Sequence, residues 1–161
     1  MNSVVFVCTG NICCSPTAEG MFLRKVAEER LSERIFIDSA GTHGYHAGAA
    51  PDARTQAAAK ARGYDLSALR ARRFERHDFE RFELVLAMDE ENRAFLARLC
   101  PASAGHKLKL MMAYASRVRR PDVPDPYYGG AEGFETVLDL LEDATEGLLA
   151  AFKAAQLSRS R

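Results

Sequence analysis

Apolar positions along the chain follow two alternating patterns, short β-rich runs and longer stretches with helical spacing. Ser3-Val4-Val5-Phe6-Val7 is an apolar run that reads as a buried strand. Ser15 followed by Pro16 reads as an N-cap and a first-turn proline, which predicts a helix over 16–31 with Ala18, Phe22 and Val26 on one face. Ile35-Phe36-Ile37 forms a second strand, closed by Asp38-Ser39-Ala40-Gly41, and a Gly-rich, His-containing loop follows to Ala50. Pro51-Asp52 opens a helix that ends at Gly63. Leu84 to Met88 is a third strand, Asp89 caps the helix that stops before Pro101, and Leu108 to Met112 is a fourth strand. A long helix from about Glu132 to Ala155 carries Phe134, Val137, Leu138, Leu141, Leu148 and Phe152 on its buried stripe. The alternation predicts an α/β fold of three layers, a four-stranded parallel sheet with helices on both faces. Residues 1–157 form a single domain in this reading, and 158–161 a frayed tail.

Composition narrows the function. The chain has 161 residues, 47% of them hydrophobic, enough for one real core. Lys+Arg and Asp+Glu are both 22, so charge gives no case for nucleic acid or a membrane surface. The arginines between Arg70 and Arg81 are interleaved with Glu75, Asp78 and Glu80 and read as a solvated face. No apolar stretch is long enough to span a bilayer and no signal segment opens the chain, which points to the cytoplasm. Three of the four cysteines lie between residues 8 and 14, a cluster that fits catalysis or redox chemistry better than a disulfide framework. Adjacent Cys13 and Cys14 do not have zinc-ligand spacing, and no metal is expected.

Two segments carry chemistry. The first is Val7-Cys8-Thr9-Gly10-Asn11-Ile12-Cys13-Cys14-Ser15-Pro16, where a strand runs in and a helix runs out. Cys8 ends the strand and faces the positive end of the helix across a short loop. Backbone N–H groups in such a loop bind anions, and the same field favours a nucleophilic thiolate. Ligands in a parallel sheet bind beyond the strands' carboxyl ends, where Cys8 sits. A buried core cysteine is the competing reading of Cys8, and the nearby helix start weighs against it. Cys13, next to Ile12, reads equally as packing or as a redox partner. Ser39 and His43 read as loop braces. The second segment is Pro124-Asp125-Pro126-Tyr127-Tyr128-Gly129-Gly130, in which two prolines hold Asp125 in a stiff extended loop.

Together these motifs resemble the low-molecular-weight protein tyrosine phosphatases. That family's signature is Cys, five residues, Arg, Ser or Thr, then Pro, with an Asp-Pro-Tyr-Tyr loop later in the chain. The resemblance also covers Asp38-Ser39-Ala40-Gly41-Thr42 and Leu84 to Asp89. It implies that Cys8 attacks phosphorus to form a phosphocysteine, and that Asp125 protonates the leaving phenolate and then deprotonates the attacking water. Ser15 would hydrogen-bond the Cys8 thiolate. Thr9, Gly10, Asn11, Ile12 and Cys13 would form the phosphate-binding loop, with Asn11 in the left-handed conformation. Tyr127 and Tyr128 would wall the mouth and stack on a phenyl ring. The implied partners are phosphotyrosine proteins or aryl phosphates, with no cofactor, and the chain would be a monomer or weak dimer.

One residue departs from the family: Cys14 stands where the arginine is expected. The arginine's planar fork suits the trigonal transition state, and cysteine offers neither its charge nor its geometry. One preorganised donor at a developing anion is worth about 2.7–4 kcal/mol, and arginines on transferring phosphoryl groups have been worth on the order of 10³–10⁵ in rate. A rate at least roughly a thousandfold below that of an arginine-bearing version is expected. Arg24 and Lys25 point away from the helix start, and Arg54 is a poor stand-in. The favoured account is a replacement within an otherwise working phosphatase. The alternatives are a catalytically dead phosphotyrosine-binding homologue and a redox sensor in which Cys8 pairs with Cys13 or Cys14. A thioredoxin-coupled arsenate reductase would need two further cysteines late in the chain, where only Cys100 is found.

Overall fold

The structure, a computed structural model, describes residues 1–126 and 130–159. Its strands are β1 (Ser3–Cys8), β2 (Phe36–Gly41), β3 (Leu84–Ala87) and β4 (Leu108–Leu110). Its α-helices are α1 (Cys14–Glu28), α2 (Ala53–Ala61), α3 (Asp78–Arg81), α4 (Glu90–Leu99) and α5 (Ala131–Arg159). The sheet is parallel throughout in the order β2-β1-β3-β4, with Val5 opposite Asp38 on one side and Val85 on the other. The chain steps from β1 to β2 on one side and returns to place β3 on the other. The carboxyl end of β1 therefore lies at the topological switch, where a parallel sheet leaves a crevice.

Strand alternation splits β1 between two cores. Val4, Phe6 and Cys8 face Phe22, Leu141 and Phe152 of α1 and α5, whereas Val5 and Val7 face Phe79, Phe82 and Leu96 of α3, α4 and their flanks. The sheet is thus covered on both faces, as the fully buried central strands β1 and β3 require.

Several boundaries differ from the sequence reading. Helix α1 begins at Cys14, and Ser15 is not its N-cap; Cys13 occupies that position and makes no side-chain cap. The Ser15 hydroxyl is engaged by the sulfur of Cys8 instead. Asp38 to Gly41 continues β2 rather than closing it, because it pairs with Val5 to Cys8. β4 stops at Leu110, and Met111–Tyr114 tightens into a 3₁₀ turn. Met111 and Met112 both pack into the same core, which strand alternation would forbid. The solvated face expected over 70–81 contains α3, whose Asp78 is fully buried and paired to Arg72 and Arg81. α5 continues through Arg159, so the tail expected to fray from 158 begins as helix. Asp89 caps its helix as read, accepting from the amide of Asn92, and Asp52, read only as opening a helix, caps it by accepting from the amides of Arg54 and Thr55.

Candidate active site

The sulfur of Cys8 lies at the end of β1, 8% exposed, beneath the loop that enters α1. The Ser15 hydroxyl is 2.9 Å from it, and the Asn11 amide donates to it at 3.3 Å. Asn11 adopts φ 58°, the left-handed turn that bends the loop over the sulfur. Its side chain fixes that turn: Nδ2 donates to Ser15 Oγ at 2.8 Å and Ser39 Oγ at 2.9 Å, and Oδ1 accepts from the Arg72 amide at 2.9 Å. Ser39 Oγ in turn donates to Glu19 Oε1 at 2.6 Å. A buried chain of hydrogen bonds therefore runs from the Glu19 carboxyl through Ser39, Asn11 and Ser15 to the sulfur. Burial pushes the Glu19 carboxyl up to about 7, although the Ser39 hydroxyl favours its charged form.

The outer wall is fixed by the backbone. Thr42 N donates to Cys8 O at 2.8 Å and His43 N to Thr9 O at 3.1 Å. A Cβ at Gly41 would lie 2.8 Å from each of the Thr9 and His43 carbonyl oxygens, so only glycine lets the two loops meet here. Asn92 Nδ2 on α4 donates to Thr9 Oγ1 at 3.0 Å. Among the described residues, the amides of Ile12, Cys13, Cys14 and Ser15 at the start of α1 have no protein acceptor. Such amides, at a helix N-terminus, suit an anion.

A cavity of about 290 Å³ opens above the sulfur. Thr9, Gly10, Ile12, Cys13 and Cys14 line it with Cys8, and so does Asp125. Cys14 is 4% exposed, and its thiol donates to the Pro124 carbonyl at 3.6 Å, beside Asp125. Burial, then the neighbouring Cys8, Cys13 and carboxylate charges, holds the Cys14 thiol well above its usual range. Burial likewise pushes Cys13 up to about 12. Asp89 also lines the cavity, and burial raises its carboxyl despite the Asn92 amide. Arg24 pairs with Glu28, Lys25 with Glu146 and Arg54 with Asp52, and none of the three lines the cavity. Tyr127 and Tyr128 lie outside the described residues.

Sequence reasoning missed Glu19 and the inward role of Arg72, and gave Asp89 only a capping role. Glu19 had a visible signal, since it follows Ser15 by one helical turn beside the apolar positions Ala18 and Phe22. Tyr45 and His46 of the Gly-rich loop also line the cavity. Among the described residues no group of three or more His, Cys, Asp or Glu side chains could hold a metal ion, and no helix is long and apolar enough to cross a membrane.

The sheet and the sulfur beneath a helix-entry loop define an α/β protein with an anion-type cysteine pocket at its switch point. Residues 3–159 match the model of the low molecular weight phosphotyrosine protein phosphatase family. A low molecular weight protein-tyrosine-phosphatase of Streptomyces coelicolor is 44% identical over 153 residues, covering 93% of each chain. The human low molecular weight phosphotyrosine protein phosphatase is 40% identical over 141 residues, covering 84% of this chain and 85% of its own. A crystal structure of a protein tyrosine phosphatase from Entamoeba histolytica superposes with a TM-score of 0.93 at 37% identity, over 97% of this chain and 99% of its own. The chain belongs to the low-molecular-weight phosphotyrosine protein phosphatase family, and it is by family a phosphatase.

Proposed function

We propose that this chain hydrolyses phosphotyrosine in proteins, and aryl phosphates generally, through a phosphocysteine on Cys8, at a rate held down by Cys14. The observation that supports it most is the Cys8 sulfur, held by Ser15 Oγ and the Asn11 amide, lining one cavity with Asp125. In the first step the Cys8 thiolate attacks phosphorus and the P–O bond to the phenol breaks. Asp125 gives its proton to the departing phenolate oxygen. In the second step a water attacks the phosphocysteine, Asp125 takes a proton from it, and the P–S bond breaks to release phosphate and the thiolate. The amides at the start of α1 hold the phosphoryl oxygens, and the Ser15 hydroxyl donates to the sulfur when it leaves.

Cys14 supplies no charge at the position where the family carries its arginine. A second reading, a phosphotyrosine-binding homologue without turnover, draws on the way Cys14 is buried and satisfied by the Pro124 carbonyl. A third, a redox sensor, draws on three thiols lining one cavity. Aryl phosphate hydrolysis separates the first two. Slow turnover abolished by Cys8→Ser and strongly reduced by Asp125→Ala supports the enzyme. Phosphotyrosine binding without turnover, unchanged by Asp125→Ala, supports the binding module.

A further inference from the structure

The cavity over Cys8 has an unusual charge balance for a site that takes a phosphoryl group. Among the described residues its lining carries two carboxylates, Asp89 and Asp125, and no lysine or arginine. Among the described lining residues, His46 is the side chain that can carry positive charge. We propose that the imidazolium of His46 is the cation this pocket offers to a bound oxyanion, and that His46 thereby sets both anion affinity and its dependence on pH. The inference rests on the phosphatase reading of the same cavity.

The geometry places the ring on the phosphate loop itself. A Cβ added at Gly10 would lie 3.1 Å from His46 Cδ2 and 3.7 Å from Nε2, so the ring edge bearing Nε2 faces Gly10. The absence of a side chain at Gly10 lets that edge approach. The segment carrying His46 is anchored at both ends. Thr42 N and His43 N donate to the carbonyls of Cys8 and Thr9, and Ala49 N closes the turn onto His46 O at 2.8 Å. The His43 ring stacks on Tyr45 at 4.9 Å between centroids and packs against Phe95 of α4 at 5.0 Å. His46 is exposed, so its nitrogen can exchange protons with solvent before an anion enters.

The groups around the ring define what else titrates. Its own loop brings His43 and Tyr45, and Arg73 packs beside Gly44. The phosphate loop brings Cys8, Cys13 and Cys14, α4 brings Asp89, and the acid loop brings Asp125. Histidine gains its positive charge as pH falls from about 8 to about 5. Over that range an incoming dianion meets a more favourable pocket. Protonation of Asp89, whose carboxyl burial already raises, acts in the same direction. The test must therefore separate the two.

Sulfate is a suitable probe, because it keeps its charge across this range while phosphate does not. Sulfate affinity is measured by calorimetry at about pH 5.5 and about pH 8 for the wild-type chain, His46→Gln, His46→Lys and Cys14→Arg. The proposal expects wild-type binding at least about fivefold tighter at the lower pH, the size of one partly screened charge. His46→Gln should lose most of that gain. His46→Lys should carry the low-pH affinity up to the higher pH. An unchanged pH dependence in His46→Gln overturns the proposal and points to Asp89. Sulfate binding to Cys14→Arg but not to wild type at either pH also overturns it, while leaving the phosphatase pocket intact. Failure of all four proteins, Cys14→Arg included, overturns the pocket reading and this inference with it.

Discussion

Replacing Cys14 by arginine should raise turnover of an aryl phosphate by roughly a thousandfold. Cys14 lines the cavity over Cys8 and reaches the segment of Asp125 through the Pro124 carbonyl. A guanidinium reaching into the cavity of about 290 Å³ can fork onto two phosphoryl oxygens. Two charge-assisted hydrogen bonds, each worth about 2 kcal/mol net in such a site, supply about 4 kcal/mol, or about three powers of ten in rate. The losses are small by comparison. They are one weak thiol hydrogen bond to Pro124 and the repacking of a side chain that is now 4% exposed. The new cation also gives the Asp89 carboxyl a partner, and Asp89 should titrate lower in the variant. The assay is steady-state hydrolysis of para-nitrophenyl phosphate, with thermal unfolding to confirm that both chains fold. Most of the gain should appear in kcat, because the fork fits the trigonal transition state better than the tetrahedral ground state. Equal kcat in two folded proteins would refute the reasoning.

Other outcomes follow from the buried hydrogen-bond chain behind the sulfur. Glu19 has its carboxyl raised to about 7 in the fold from 4.5, so the native state holds an extra proton between those values and loses stability as pH rises through them. The shift corresponds to roughly 3 kcal/mol between about pH 5 and about pH 8, seen by denaturant unfolding, and Glu19→Gln should remove that slope. An identical slope in the variant would contradict it. Asn11→Ala loses the three side-chain hydrogen bonds that fix the loop while keeping its left-handed backbone. It should lower stability by roughly 3–4 kcal/mol in the same assay and reduce kcat more than it raises KM. A loss within about 0.5 kcal/mol would mean the loop is held by something else.

The parts of the site that lie close together in sequence were legible without coordinates. Cys8 at a strand end could be read from the residue pattern, whereas Asn11 in a left-handed turn and Ser15 near the sulfur followed from the family resemblance of that one loop. Ser15 was given the wrong additional role: Ser-Pro looks like a cap and a first turn, but the helix has already begun at Cys14 and the Ser15 hydroxyl lies against the Cys8 sulfur. Asp38 to Gly41 looked like a turn from its residue types, and pairing with β1 made it strand. Arg72 lay hidden among exposed charges because its partners Asn11 and Asp38 are distant in sequence, and Asp78 is buried against Arg72, Arg81 and the Glu75 amide. The place of His46 was not legible for the same reason, since only the meeting of two loops at Gly41 brings it over Gly10.

The central claim is that the Cys8 sulfur forms a bond to phosphorus. Acid quenching during turnover of an aryl phosphate, followed by peptide mass spectrometry, tests it directly. The account predicts a single phosphoryl group on the peptide bearing Cys8, absent from Cys8→Ser, and more abundant in Cys14→Arg. Phosphate release with no modified Cys8 peptide, and equal release by Cys8→Ser, would contradict it.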